Sequence, residues 1–145
     1  MQIEQKKLTV LRFYEQVVNR ADTEVARSIV SESLLLPLIS SGEVTGPDGV
    51  LVSMEEVKEG FPDCFIRVLG LSESGEDIIA TIHTTGCNVG TYKGIEPSRK
   101  IIAVQSNIKF KFENNMIISI FLLHPADPDQ LNIGFIPTLE SAIAN

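Results

Sequence analysis

Residues 81–112 read TIHTTGCNVGTYKGIEPSRKIIAVQSNIKFKF, and this stretch decides the fold. Two runs of β-forming residues flank a connection holding Gly86, Gly90 and Gly94, and the second run closes on Lys109-Phe110-Lys111-Phe112. Alternation of charged and apolar residues means a strand with one buried face. Two such runs around a glycine-rich connection predict a long antiparallel hairpin with an elaborate turn. On that register Lys109 and Lys111 point away from the core. Ile102, Val104, Ser106, Ile108, Phe110 and Phe112 then face it, and Gln105 and Asn107 lie outside.

Further strands follow outward from this hairpin. Phe61-Pro62-Asp63 is a turn entering a strand over 64–71, and 72–76 is a polar turn leading to a strand over 77–85. After the 101–112 strand, Glu113-Asn114-Asn115 supplies residue types that tolerate positive φ in a tight turn. The last strand covers 117–124. Upstream the period changes to that of helices. Residues 3–20 place Leu8, Leu11 and Val18 on one stripe with Tyr14 and Val17 beside it. Asp22 is an N-cap for a short helix burying Val25, Ala26, Ile29 and Val30. Residues 34–41 are apolar but hold Pro37, which predicts an edge strand or irregular wall, and 42–46 read as loop. Pro47 opens a third helix with Val50, Met54 and Val57 inward, and Gly60 ends it in a left-handed conformation. The tail carries Pro125, Pro128 and Pro137, so 126–145 should be irregular, with at most a short helix over 139–144. Helices first, then antiparallel strands, predict a single α+β domain over 1–145, its helices packed on one face of a curved sheet.

Composition narrows the function. A chain of 145 residues with net charge −7 lacks the basic surface that nucleic acid or an acidic membrane requires. The charged N-terminus has no signal-peptide core, and the apolar run 117–123 is too short to span a bilayer, so the expected location is the cytoplasm. Cys64 and Cys87 fit reduced thiols there, with a disulfide between them left open. A CxxC pair, a Cys/His cluster and a Walker-type loop are missing from the sequence, so neither metal nor cofactor is expected.

Six segments, in order, carry a resemblance: LRFYEQVVNRAD from Leu11, GPDGV from Gly46, FPDCFIRV from Phe61, TGCNVGTYKGIEPSRKI from Thr85, IKFKF from Ile108 and MIISIF from Met116. Together, from Leu11 to His124, the chain resembles the SnoaL-like polyketide cyclases and ester cyclases of the NTF2-like superfamily. The resemblance implies a cone-shaped fold with an internal apolar pocket. It implies cofactor-free acid/base chemistry on a small hydrophobic carbonyl compound, as in an intramolecular aldol-type closure. It also implies a homodimer formed through the outer face of the sheet. Departures bear on the chemistry. Asn88 stands where the family often has His or Thr, and Glu96 and Ser98-Arg99 replace the usual Pro and Thr-Gly. Where enzymatic members carry an Asp on the final strand, this chain reads Phe121-Leu122-Leu123-His124. The related ketosteroid-isomerase carboxylate falls on Ile108, while its phenol has a counterpart in Tyr14.

The residues themselves agree that a buried carboxylate is missing. Between Ile78 and Leu123 the acids are Glu96 and Glu113 alone, both in predicted turns. The catalytic candidates are therefore His124, His83 and Tyr14. His124 would stand at the pocket mouth as an acid/base; its plainer reading is a strand-end side chain capping loose backbone. His83 shares a face with Ile79, Thr81 and Thr85, opposite Ile78, Ala80, Ile82 and Thr84; its plainer reading is an outer-face histidine. The Tyr14 hydroxyl could bond a substrate carbonyl, or simply a backbone group. Asp63 should fix its own turn, and Cys87 reads better as a small buried thiol than as a nucleophile. The expected ligand lining is Tyr14, Leu36, Ile82, Ser106, Ile108 and Phe110. The last strand looks apolar on both faces, with Ile118, Ile120 and Leu122 on one and Ile117, Phe121 and Leu123 on the other. The tail residues Leu131, Ile133 and Phe135, or a second subunit, should cover the outer one. Two alternatives to an enzyme stand: a ligand-binding module that has lost the chemistry, and a dimeric interaction domain with a filled cone.

Overall fold

The computed structural model describes residues 1–38, 42–92, 94 and 96–123, with 35–38 and 42–44 described by backbone alone. His124 and the tail, including the short helix expected over 139–144, lie outside the described residues.

The first helix, α1, spans Ile3–Arg12 and runs directly into a π-helical segment, Phe13–Val18. Its buried residues are Thr9, Val10, Phe13, Tyr14, Val17 and Val18, whereas Leu8 is 58% exposed. The expected stripe through Leu8 and Leu11 is thus displaced. A π turn closes i→i+5 bonds and takes up more residues than an α turn, so a 3.6-residue period carried back from Val18 loses its phase. Ala21 then adopts φ +54°, and the Asp22 carboxylate accepts the Val25 N–H at 3.1 Å, capping α2 (Thr23–Ile29) as expected.

Strand β1 (Leu35–Leu38) pairs antiparallel with β2 (Gly42–Thr45), so the expected loop at 42–45 is instead a strand. Pro37 faces Glu43 in this two-stranded ribbon, where each strand is an edge and a missing N–H is tolerated. The third helix, α3 (Gly46–Gly60), buries Val50, Met54 and Val57 as their spacing predicts. Gly60 does not end it in a left-handed conformation, since the positive-φ glycines are Gly46, Gly75 and Gly94. Its role is close approach: a Cβ there would lie 2.6 Å from the Tyr92 Cβ.

Strands β3 (Phe65–Ser74), β4 (Asp77–Cys87), β5 (Ile101–Glu113) and β6 (Met116–Leu122) form an antiparallel meander in chain order. Ile78, Ala80, Ile82 and Thr84 of β4 are buried, and so are Ile102, Ile108 and Phe110 of β5, which confirms the inward face. Gln105 and Asn107 are exposed. Two bulges bend the sheet. One leaves Leu69 unpaired between Val68 and Gly70, and the other leaves Ile118 unpaired opposite Lys111 and Phe112. The second corrects the faces expected for the last strand. Ile117, fully buried, moves to the inner face with Ile120 and Leu122, and Ile118 becomes the extra residue.

The helices lie on the inner face. The first packs on β3 and β4, and α2 packs on β6. Asn19, just after the π segment, clamps Ile66 of β3 by both amide groups. It donates to the Ile66 carbonyl at 2.7 Å and accepts the Ile66 N–H at 3.0 Å. Ser31 N–H donates to the Ile117 carbonyl at 2.9 Å, tying the chain after α2 to β6. Between the layers Phe13, Tyr14 and Phe110 meet edge to face, with centroids 5.3, 5.6 and 5.7 Å apart. That geometry adds a favourable quadrupole term to the buried area.

Candidate functional site

The π segment points Tyr14 into the core, where its side chain has no accessible surface. Its hydroxyl meets no hydrogen-bond partner among the described residues. Burial pushes the phenol well above its ordinary pKa of 10, so it stays protonated and acts as a donor. The Thr84 hydroxyl, on the inner face of β4, is equally buried and equally without a partner. Other buried hydroxyls show the usual solution. Thr9 donates to the Gln5 carbonyl and Ser53 to the Gly49 carbonyl, each at 2.9 Å. Leaving a buried hydroxyl unbonded costs about 1–3 kcal/mol, so two of them in one core are an uncompensated cost. π turns occur frequently at functional sites, and this one carries one of the two groups.

The expected lining is only partly open. Tyr14, Ile82, Ile108 and Phe110 are all fully buried and border no water-sized space. The accessible part of the inner wall lies further along β5, at half-buried Val104 and Ser106. Strand β6 pairs with β5 only as far as Ile108, followed by a bond from Leu123 N–H to the Asn107 carbonyl at 2.9 Å. Among the described residues nothing pairs with the outer edge of β5 from Ile101 to Ser106. Val104 faces Thr84 and Ser106 faces Ile82 across the ladder, so this opening abuts one of the two unbonded hydroxyls. The Leu36 side chain and His124 lie outside the described residues. Thr84 was missed as a site residue, although alternation puts it among the inward apolar residues of its strand, where a hydroxyl stands out.

His83 is on the other side of the sheet. It neighbours Arg67 and Gln105 on the outer face, so the sheet separates it from Tyr14 and the two cannot act on one ligand. Glu96 and Glu113 are exposed, so the described inner wall carries no carboxylate. Asp63 does not bond within its own turn. Its Oδ1 accepts the Cys87 N–H at 2.8 Å, holding the end of β4 to the start of β3. Both cysteines are free. Burial, with the Asp63 charge adding and Lys58 opposing, pushes the Cys64 thiol up to about 11, which keeps it protonated and unreactive near neutrality.

Asn88 is the keystone of the glycine-rich connection. It is fully buried, and its amide donates to the carbonyls of Gly60 at 3.2 Å and Gly90 at 2.9 Å. These bonds dock the connection on the end of α3, where Tyr92 stacks edge to face on Phe61 at 5.3 Å. Asn88 therefore has a structural task and faces no open space. Among the described residues, no group of three His, Cys, Asp or Glu is placed to hold a metal ion, and no helix is long and apolar enough to cross a membrane.

A profile of the SnoaL-like polyketide cyclase family matches residues 8–120. No functionally curated protein shows significant sequence similarity to the chain. Solved structures share the fold. A protein of Jannaschia sp. CCS1 assigned as a SnoaL-like polyketide cyclase is 21% identical, with a TM-score of 0.67 over 80% of this chain and 82% of its own. TsrD from Streptomyces laurentii is 16% identical, with a TM-score of 0.69 over 82% and 87%. AclR from Streptomyces galilaeus, assigned as a hydroxylase, is 17% identical, with a TM-score of 0.62 over 81% and 77%. One fold thus carries different assigned activities, so these neighbours establish the NTF2-like α+β architecture without establishing a reaction. With the profile spanning the first helix through β6, the chain belongs to the SnoaL-like polyketide cyclase family.

Proposed function

We propose that this protein binds a small, apolar, carbonyl-containing molecule on the inner side of its sheet, with the Tyr14 hydroxyl donating to the carbonyl oxygen. The observation that carries this reading is the pair of buried, unbonded hydroxyls, Tyr14 and Thr84, in an otherwise apolar and satisfied core. A ligand oxygen would supply the missing acceptor. Because Tyr14 is closed off, the ligand enters past Val104 and Ser106 and displaces core side chains to reach it.

The same contact supports cofactor-free proton transfer. A neutral phenol donating in a low-dielectric site stabilises charge that develops on the carbonyl oxygen when a proton leaves the adjacent carbon. The base for that step is assigned to His124, which follows β6, since the described inner wall offers no carboxylate.

Acetophenone and ethylbenzene test the reading, because they share a shape and differ in the carbonyl. Acetophenone should bind at least tenfold more tightly, and Tyr14→Phe should remove that preference. Equal affinities for the two probes would sink the proposal. In D2O the protein should exchange the methyl hydrogens of acetophenone, and His124→Gln should stop it. Carbonyl-selective binding without exchange would leave a ligand-binding module.

A further inference from the structure

Two hydroxyls on the inner face of the sheet stand diagonally across one ladder. Thr84 of β4 pairs with Val104 of β5, and Ser106, two residues further along β5, pairs with Ile82. Thr84 is fully buried. Ser106 is half-buried, between the exposed outer-face residues Gln105 and Asn107. Diagonal neighbours of an antiparallel pair lie about 7–8 Å apart. The two hydroxyls are thus too far apart to bond each other, whereas one oxygen between them, with bonds of about 2.8 Å to each, spans most of the gap.

Neither hydroxyl has a partner. Thr84 Oγ1 is buried and unbonded, and the Ser106 hydroxyl makes no hydrogen bond among the described residues. On the outer face of the same two strands the Thr81 hydroxyl donates to Asn107 Oδ1 at 2.8 Å, so the ladder supplies a partner elsewhere. The surroundings decide what would satisfy the inner pair. Thr84 lies between Ile66 of β3 and Val104 of β5, and no charged side chain among the described residues is buried. An ionised ligand group placed there would give up its hydration without a counter-charge, at a cost that two hydroxyl bonds do not offset. A hydroxyl both donates and accepts, so Thr84 lacks a partner in each sense. A ketone oxygen between the two side chains would only accept. A hydroxyl would accept from one side chain and donate to the other.

We propose that Thr84 and Ser106 together hold a hydroxyl of the ligand, which makes the ligand class an uncharged hydroxyketone. Its carbonyl lies deep, at Tyr14, and its hydroxyl lies toward the opening at Val104 and Ser106. This assignment rests on the carbonyl reading of Tyr14 and adds a second anchor to it. With one anchor an apolar molecule turns freely about its bond to the phenol. With two, the direction of its long axis is set along the inner wall.

The test is titration of the full chain with 3- and 4-hydroxyacetophenone and with the matching fluoroacetophenones, below neutral pH where the ligand phenols are uncharged. Fluorine keeps the shape and cannot donate. At least one hydroxyl isomer should bind tenfold more tightly than its fluoro counterpart, and the amide NMR signals of Thr84 and Ser106 should shift as it saturates. Thr84→Val, which keeps the shape of the side chain, should erase that preference, and Ser106→Ala should reduce it by a smaller factor. The anion 4-acetylbenzoate should bind at least tenfold more weakly than the favoured phenol. Equal affinities within both hydroxyl–fluoro pairs, or a preference that survives Thr84→Val, overturn the assignment. Tighter binding of 4-acetylbenzoate rejects the uncharged class. If either result comes while acetophenone is still preferred to ethylbenzene, the carbonyl reading stands without this addition. Loss of the acetophenone preference itself removes both.

Discussion

Asn88 and Ser98 are joined twice: the Asn88 Oδ1 accepts both the backbone N–H and the hydroxyl of Ser98, each at 2.8 Å. Ten residues of chain separate the two, so one buried carboxamide closes the whole glycine-rich excursion. With its bonds to Gly60 and Gly90, every polar atom of this side chain is used. Asn88→Ala would remove four hydrogen bonds, to Gly60, Gly90 and twice to Ser98, and leave a cavity. Urea denaturation should show a loss of about 3 kcal/mol. A loss under about 1 kcal/mol would mean that water replaces these bonds without difficulty.

Tyr14 and Thr84 should behave in the opposite way. Tyr14→Phe and Thr84→Val remove unbonded hydroxyls while keeping shape, so each should raise stability by about 1 kcal/mol. The same changes should weaken carbonyl-selective binding. Improved stability with unchanged binding would mark the hydroxyls as flaws of packing. Tyr14→Ala, by contrast, empties a site in the aromatic cluster and should cost about 3–5 kcal/mol.

Alkaline pH should destabilise the fold through Cys64. Its folded-state value of about 11 lies above the ordinary 9.0, so the native state holds the proton more tightly than the unfolded chain does. Stability from this source is complete below pH 9 and is lost as pH rises toward 11, by about 2 kcal/mol. Cys64→Ala should flatten the urea midpoint across that window. Tyr14 is raised in the same direction from 10, so Tyr14→Phe should flatten the further decline above pH 10. Parallel pH profiles in wild type and both variants would refute this account.

Gly90 tests how tightly the connection sits on α3. A Cβ there would run into the Glu59 carbonyl oxygen, which is backbone and cannot rotate aside. The Gly90 N–H also donates to the Gly60 carbonyl at 3.2 Å. Gly90→Ala should cost about 2–3 kcal/mol and expose Tyr92, seen as a change in its fluorescence. Gly75→Ala, in a turn with open space around it, should cost less, with strain only from its φ of +62°.

The sheet was legible because alternation is a strict two-residue code: the inward set from Ile102 to Phe110 and the outward Gln105 and Asn107 followed from two lysines. Where an extra residue breaks the code, the reading failed. The bulge at Ile118 reversed Ile117, and the π turn displaced the stripe through Leu8. Neither has a local signature, because both are settled by what the residue packs against. Gly60 was recognised as a required glycine for the wrong reason, since close approach of Tyr92 depends on a segment thirty residues away in sequence. Of the site, Tyr14 and the missing inner carboxylate were legible from residue type and alternation. Whether a hydroxyl finds an acceptor depends on tertiary distances, which no pattern encodes.

The π turn also means that the first helix stores one spare residue. A straight α-helix advances about 100° per residue, and a π turn absorbs an extra residue without turning the helix on either side of it. Deleting exposed Glu15 would therefore let the segment relax to α geometry while α1 keeps Val10 inward and Asn19 keeps its clamp on Ile66. A single codon lost there would shorten the helix without changing which of its sides the interior meets.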